Sequence, residues 1–164
     1  MDILSVDKIN EISRLLQKRE QTIAVAESCT AGLIQNAFSQ ANNATSFFQG
    51  GITAYNLGQK TKHLRVNPVF AESCNSVGQE VSNRMAMEVA LAFNAEMGLA
   101  ITGYAKPVPS LSIEDCYAYI SIVEYPNILL EKRIKGDPTR SLFENQRLFT
   151  EKMMDNLLQI LKGK

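Results

Sequence analysis

The sequence is poor in histidine and cysteine, the residues that most often carry metals and nucleophilic catalysis. It has one histidine and three cysteines, Cys29, Cys74 and Cys116. The cysteines are widely spaced, odd in number and form no CxxC pair, which argues against a disulfide framework and a structural zinc site. We therefore expect reduced thiols, no metal ion and a cytoplasmic location.

The chain also lacks an excess of charge of either sign. Its 17 lysines and arginines balance 17 aspartates and glutamates, which gives a formal net charge of zero. No run of basic residues interrupts this balance. Because a nucleic-acid-binding protein needs a basic surface to meet the phosphates, we expect no nucleic-acid partner.

Long apolar runs are absent as well. No stretch approaches the roughly 18–20 apolar residues that a membrane span needs. The amino-terminal stretch carries Asp2, Asp7 and Lys8 among its apolar residues, which is unlike a signal peptide. The sequence therefore predicts no membrane association.

What is present is the composition of an ordinary globular protein. Hydrophobic residues make up 45% of the 164 residues, enough for one domain with a substantial core. Apolar periodicity predicts helices and short apolar runs predict strands. The predicted helices cover 5–19, 30–39, 57–64, 79–95 and a last helix that begins at Asp137-Pro138; the predicted strands cover 22–26, 47–55, 99–102, 116–123 and 128–134. This alternation followed by a hairpin indicates an α/β fold, a single-domain three-layer α/β/α sandwich with a mixed sheet.

The turn after the first predicted strand carries three side chains that could act as nucleophiles. Ser28, Cys29 and Thr30 stand where an apolar strand meets a helix-like segment. Such a turn can aim one hydroxyl and several free backbone N–H groups at the same point, as acyl transfer requires. The same residue types are also common helix N-caps, which involve no chemistry.

The base for such a nucleophile is more readily a lysine or tyrosine than a histidine. His63, the single histidine, lies in a polar, cation-flanked stretch typical of a solvated surface. Tyr55 and Lys60 follow the second predicted strand, and the 102–110 segment follows the third. In open α/β sheets, sites cluster at the carboxyl ends of strands, so we expect these segments to meet the Ser28 turn.

The residues Ala26-Glu27-Ser28-Cys29-Thr30-Ala31-Gly32, together with the spacing Tyr55-x4-Lys60, resemble the C-terminal domain family of the competence/damage-inducible protein CinA. The resemblance extends over nearly the whole chain. Val81-Ser82, Ala100-Ile101-Thr102-Gly103 and Gly136-Asp137 match the family in order and spacing. Stand-alone members of this family are nicotinamide-nucleotide amidases.

The resemblance implies hydrolysis of nicotinamide mononucleotide to nicotinate mononucleotide and ammonia, without a metal or cofactor. It makes Ser28 the nucleophile and Lys60 the base, places Tyr55 nearby, and suggests a homo-oligomer. A lysine serves as base when burial or a nearby cation lowers its pKa. The residues expected to contact the nucleotide substrate are Glu27, Cys29, Thr30, Gly32, Gly51, Thr102, Gly103, Lys106 and Arg140. Glu27 has two further interpretations: it orients Lys60, or it is an exposed acid at the strand end.

The sequence departs from the family pattern at three places, two of which are expected substrate-contact elements. Ala31 stands where the family usually has glycine, and the glycine-rich loop is replaced by Gly103-Tyr104-Ala105-Lys106-Pro107. The family's Gly-Asp-Arg becomes Gly136-Asp137-Pro138, with Arg140 two residues further on. Two hypotheses remain open: an active amidase with altered substrate contacts, and a catalytically weak or retired member that binds a nucleotide or a protein.

Overall fold

The computed structural model describes residues 5–163; residues 1–4, including Asp2, and residue 164 lie outside this range. The helices are α1 (Val6–Lys18), α2 (Leu33–Ser39), α3 (Leu57–Leu64), α4 (Pro68–Ser73), α5 (Gln79–Ala92) and α6 (Leu142–Gly163). The strands are β1 (Ile23–Glu27), β2 (Phe48–Thr53), β3 (Met97–Tyr104), β4 (Tyr117–Glu124) and β5 (Asn127–Lys135). None of the described helices is both long enough and apolar enough to cross a membrane.

The five strands form one mixed sheet in the order β2-β1-β3-β4-β5. The first three are parallel to one another, and β4 and β5 add to the β3 edge as an antiparallel hairpin. All five residues of β1 are buried, as expected for a strand with helices on both of its faces.

Each face of the sheet has its own apolar core. One core joins α1, α2 and α6 to the sheet and includes Ile12, Phe38 and Phe149. The other joins α3, α4 and α5 to the opposite face and includes Leu64 and Met85. The predicted α/β sandwich with a mixed sheet is thereby confirmed.

The last helix does not begin where the sequence predicted. Asp137 accepts hydrogen bonds from the Thr139 backbone N–H at 2.9 Å and from its hydroxyl, and so closes a local turn instead of capping a helix. Ser141 and Glu144 then form a reciprocal capping box, because the Ser141 N–H donates to the Glu144 carboxylate at 2.9 Å and the Glu144 N–H donates to the Ser141 hydroxyl at 3.3 Å. Helix α6 therefore starts at Leu142.

Two other local predictions also differ from the structure. Helix α2 starts at Leu33 rather than Thr30, since Ala31 and Gly32 have positive φ angles of 52° and 97° and cannot belong to a right-handed helix. The short helix α4 was not predicted; the side chain of Asn67 caps it by accepting from the backbone N–H groups of Val69 and Phe70.

Gly51 is a position where the fold requires glycine. A Cβ added there would lie 2.3 Å from the backbone oxygen of Val25 and 2.8 Å from the side chain of Gln35. We expect Gly51→Ala to lower the free energy of unfolding by about 1–3 kcal/mol, through overpacking between β1 and α2. Gly58→Ala is the matched control, because a Cβ at Gly58 meets only Asn56 Oδ1, at 3.5 Å. Urea unfolding of both variants measures the difference, and equal stability would contradict this account of Gly51.

Candidate active site

A cavity of about 470 Å³ lies beyond the carboxyl ends of β1 and β3. Its walls come from the turn after β1, the start of α3, the segment after α4, the loop after β3 and the first residue of α6. The residues expected from the sequence that line it are Ser28, Cys29, Tyr55, Lys60, Gly103 and Lys106. The three strand ends singled out in the sequence therefore meet at one cavity.

Lys60 lines this cavity and is only 2% exposed. Its Nζ donates to the backbone oxygen of Ser76 at 3.1 Å and to Thr102 Oγ1 at 3.0 Å. Thr102 Oγ1 in turn donates to the Ser76 oxygen at 2.8 Å, so the three groups hold one another in place. Burial lowers the pKa of Lys60 from 10.5 to about 8, and the nearby thiols of Cys29 and Cys74 offset only part of this effect.

The hydrogen bonds of Lys60 suit a neutral amine. A neutral amine has two N–H donors and one lone pair, whereas an ammonium has three donors and no lone pair. Ser76 and Thr102 supply two acceptors. When Lys60 is neutral, both of its donors are satisfied and its lone pair is free to accept a proton from a neighbouring hydroxyl.

Ser28 and Cys29 share the cavity wall with Lys60, but they differ in reactivity. Burial raises the pKa of the Cys29 thiol to about 12, against the opposing effect of Lys60, so Cys29 stays protonated and is a poor nucleophile. Ser28 makes no hydrogen bond to Lys60 Nζ within residues 5–163. Proton transfer between them therefore needs a bridging water or a rotation of the Ser28 side chain, a looseness that is usual in unliganded sites.

Glu27 neither orients Lys60 nor lies exposed, so both alternative interpretations of it were wrong. Its carboxylate is fully buried and points towards helix α2. It accepts from the backbone N–H groups of Gly32, Ile34 and Gln35, at 3.1, 3.1 and 2.8 Å, and from Thr30 Oγ1 at 2.5 Å. These N–H groups would otherwise be unsatisfied at the start of α2, and the negative charge also suits the positive end of the helix dipole.

Because Glu27 occupies the helix start, only part of the turn can serve a substrate. The Ala31 N–H bonds to the Ser28 carbonyl at 3.1 Å. Within the described residues, the N–H groups of Cys29 and Thr30 donate to no oxygen, and the Cys29 N–H interacts only with its own thiol. The Cys29 carbonyl accepts from Gln146 Nε2 of α6 at 2.9 Å, which fixes the turn. The two free N–H groups beside Ser28 are the candidate oxyanion donors.

Several residues expected to contact substrate do not line the cavity. Thr30 and Gly32 bind Glu27, and Gly51 packs closely against β1 and α2. Thr102 is fully buried and acts on Lys60. Arg140 lies at a separate surface depression lined by α6 residues and pairs with Asp137 at 3.5 Å.

Other cavity residues were not identified from the sequence. Ser76, Asn75, Val77 and Glu72 come from α4 and the segment after it, and that helix was not predicted. The Asn67-Pro68 pair, an N-cap followed by proline at the first helical position, was the available signal for α4. Within the described part of the chain, no three His, Cys, Asp or Glu side chains are grouped so as to hold a metal ion.

The fold and this cavity define an α/β protein with a hydroxyl and a buried lysine at the carboxyl edge of its parallel strands. The family model of the CinA C-terminal domain matches residues 6–160. The chain belongs to the CinA C-terminal domain family.

Similar proteins agree with this membership. A putative competence-damage inducible protein of Halothermothrix orenii is 40% identical over 98 residues, and a CinA-like protein of Amoebophilus asiaticus is 40% identical over 104 residues. These matches cover 60% and 63% of this chain but only 24% and 25% of the relatives, so the chain spans about a quarter of their length.

Solved structures show the same fold at low sequence identity. A CinA superfamily protein from Klebsiella pneumoniae superimposes with a TM-score of 0.90 at 18% identity, covering all of both chains. A CinA superfamily protein from Escherichia coli superimposes with a TM-score of 0.85 at 20% identity, covering 96% of this chain and 90% of the other.

The role of Glu27 can be tested by a nearly isosteric change. Glu27→Gln replaces one acceptor oxygen with a donor that faces backbone N–H groups. We expect this change to lower the free energy of unfolding by about 2–4 kcal/mol, since buried donors lose their partner. Glu114→Gln, at an exposed position, should have no comparable effect. Urea unfolding of the two variants decides the matter; a Glu27→Gln protein as stable as wild type would contradict the capping role.

Proposed function

We propose that this protein is a serine amidohydrolase that converts nicotinamide mononucleotide and water to nicotinate mononucleotide and ammonia. The observation that carries the proposal is the buried Lys60, with a pKa lowered to about 8, which opens onto the same cavity as Ser28. Near neutral pH a useful fraction of such a lysine is neutral, which is what a general base for a serine hydroxyl needs.

In the first half of the proposed reaction, Lys60 Nζ takes the proton of Ser28 as Oγ attacks the carboxamide carbon. The oxygen of that carboxamide becomes negatively charged in the tetrahedral intermediate. The free N–H groups of Cys29 and Thr30 lie next to Ser28 and would donate hydrogen bonds to this negatively charged oxygen. As the C–N bond breaks, Lys60 returns the proton to the leaving nitrogen, and ammonia departs from an acyl-Ser28.

In the second half, water attacks the acyl carbon while Lys60 accepts one of its protons. The C–Oγ bond then breaks, Lys60 returns the proton to Ser28 Oγ, and the carboxylic acid is released. No group other than water is consumed. Thr102 is fully buried and bonds to Lys60 and to the Ser76 carbonyl, so it is a positioning residue in this scheme, not a substrate contact.

The nucleotide substrate is supported by the resemblance in the sequence and by the size of the site. A cavity of about 470 Å³ is within the usual range for small-molecule sites. Lys106, an exposed cation on the cavity wall, suits an anionic substrate. Tyr55 is 63% exposed at the same cavity, and we propose that its ring packs against the bound substrate.

The nucleophile is tested by removing each candidate side chain separately. We expect Ser28→Ala to lower kcat for ammonia release from nicotinamide mononucleotide by about a thousand-fold or more, since the proposed acyl intermediate forms on Ser28 Oγ. Cys29→Ala should retain activity within about ten-fold, since its thiol remains protonated. A coupled ammonia assay at high enzyme concentration measures both.

Two outcomes of that assay would contradict the proposal. Undiminished turnover by Ser28→Ala would exclude Ser28 as the nucleophile. Nucleotide binding by wild type without any turnover would instead favour the catalytically retired, nucleotide-binding family member.

The base is tested by the pH dependence of kcat/KM. Because Lys60 must be neutral to accept a proton, kcat/KM should rise with pH through about 8 and level off above it. Lys60→Met should lower kcat/KM by about a hundred- to ten-thousand-fold and remove this rise. Lys62→Met, at an exposed position on the same helix, should keep the wild-type profile. A wild-type profile that is flat between pH 6 and 9 would contradict the assignment.

A further inference from the structure

A row of aromatic and cationic side chains lies on one face of the sheet, between Lys60 and the edge strand β5. The antiparallel register places Thr102 of β3 opposite Tyr119 of β4, and Tyr119 opposite Arg133 of β5. Residues directly opposite each other in an antiparallel pair share a face of the sheet. Thr102, which holds Lys60, therefore shares its face with Tyr119 and Arg133.

On the same face, the residues nearer the carboxyl end of β3 are aromatic, and one of them lines the cavity wall. Tyr104 lines the cavity, and its ring lies 5.5 Å from that of Tyr117, nearly perpendicular to it. The Tyr117 ring lies 6.0 Å from that of Tyr119, again edge to face. These three tyrosines form a connected surface that leads from the cavity towards β5.

Arg133 lies on this surface and is available to bind an anion. Its guanidinium carbon lies 3.9 Å from the centre of the Tyr117 ring, a cation–π contact that holds the group against the ring. The residue is exposed, and no ion pair joins it to a carboxylate within residues 5–163. A guanidinium stacked in this way presents its N–H fork to a carboxylate or phosphate.

The charges around Arg133 favour an anion. Lys135, two residues further along β5, is opposite Tyr117 and therefore on the same face. Glu131, two residues before Arg133, is also on this face, but Asn83 Nδ2 donates to its carboxylate. The cationic groups thus lie at the end of the face nearest the cavity.

The separation between Arg133 and Lys60 suits a molecule of nucleotide size. Neighbouring strands lie about 4.8 Å apart, so Arg133 is about 10 Å along the sheet from Thr102. Lys60 Nζ is 3.0 Å from Thr102 Oγ1. Arg140, the arginine that the sequence offered as a phosphate contact, lies at another surface and is paired with Asp137.

We propose that Arg133, stacked on Tyr117, is the anion-binding subsite of this protein and holds the phosphate of a nucleotide whose carboxamide lies at Ser28. This inference rests on the proposed amidase function for the position of the carboxamide. The substrate lies across Tyr104 and Tyr117, so that its two ends are fixed by different strands of one sheet.

The experiment compares Arg133→Met and Arg133→Lys with wild type on two substrates, nicotinamide mononucleotide and the phosphate-free nicotinamide riboside. Arg133→Met should raise KM for the mononucleotide about ten- to a hundred-fold with kcat little changed, because the lost charge-assisted bonds act on binding. KM for the riboside should stay within about two-fold. Arg133→Lys should recover part of the lost affinity, because lysine keeps the positive charge but lacks the planar guanidinium group. Lys132→Met is the matched control, since Lys132 bonds to Asn156 of α6 on the other side of β5.

Equal KM values for the mononucleotide in wild type and Arg133→Met would overturn the subsite, as would a parallel loss on both substrates. If wild type hydrolyses neither compound, the proposed amidase function fails, and calorimetry with nicotinamide mononucleotide then decides the subsite alone. Binding that weakens at least ten-fold in Arg133→Met but not in Lys132→Met supports it. Equal binding by both variants, or no binding by wild type, overturns it.

Discussion

The site depends on the burial of one amine. Lys60 is 2% exposed, and the protein offers it two oxygens, Thr102 Oγ1 and the Ser76 carbonyl, but no carboxylate bonded to Nζ within the described residues. Such surroundings disfavour the charged form without leaving the N–H groups unpaired. A carboxylate in the same place would have fixed the ammonium and made Lys60 useless as a base. The chemistry proposed for Ser28 follows from this choice of partners.

The acidic residue nearest to the nucleophile in sequence is kept away from Lys60 by the start of α2. Glu27 precedes Ser28 directly, yet its carboxylate points to the opposite side of the turn and binds the N–H groups that open the helix. The alternation of side chains along a strand explains this separation, because neighbours in β1 face opposite ways. Glu27 therefore stabilises the strand-to-helix turn. Ser28 lines the cavity beside Lys60, whose surroundings favour the neutral amine.

The sequence predicted the layers of the fold because the central strands and the long helices carry clear apolar patterns. The buried run of β1 and the apolar stripe of α5 illustrate this, and the resemblance to the CinA family pointed to the same architecture. Predictions at helix ends failed where side chains compete for the same backbone groups. Asp137 looks like an N-cap beside Pro138, but Ser141 with Glu144 makes the better capping box.

Substrate contacts were harder to predict than the nucleophile and base, because they depend on which way a side chain faces. The Thr102 side chain bonds to Lys60, and Gly51 has no side chain and packs closely against Val25 and Gln35. Arg140 is near the site in sequence and away from the cavity in space. Arg133 gave no signal in the sequence, since only the pairing of β3, β4 and β5 shows that it shares a face with the lysine.

The most direct test of this account is the titration of Lys60 itself, followed by NMR of protein carrying labelled lysine side chains. Lys60→Met identifies the resonance of Lys60 by its absence. We predict that Lys60 titrates near pH 8, well below the 10.5 of an unperturbed lysine side chain. A Lys60 resonance that titrates near pH 10.5 would show that the buried amine is not a base at neutral pH and would contradict the central claim.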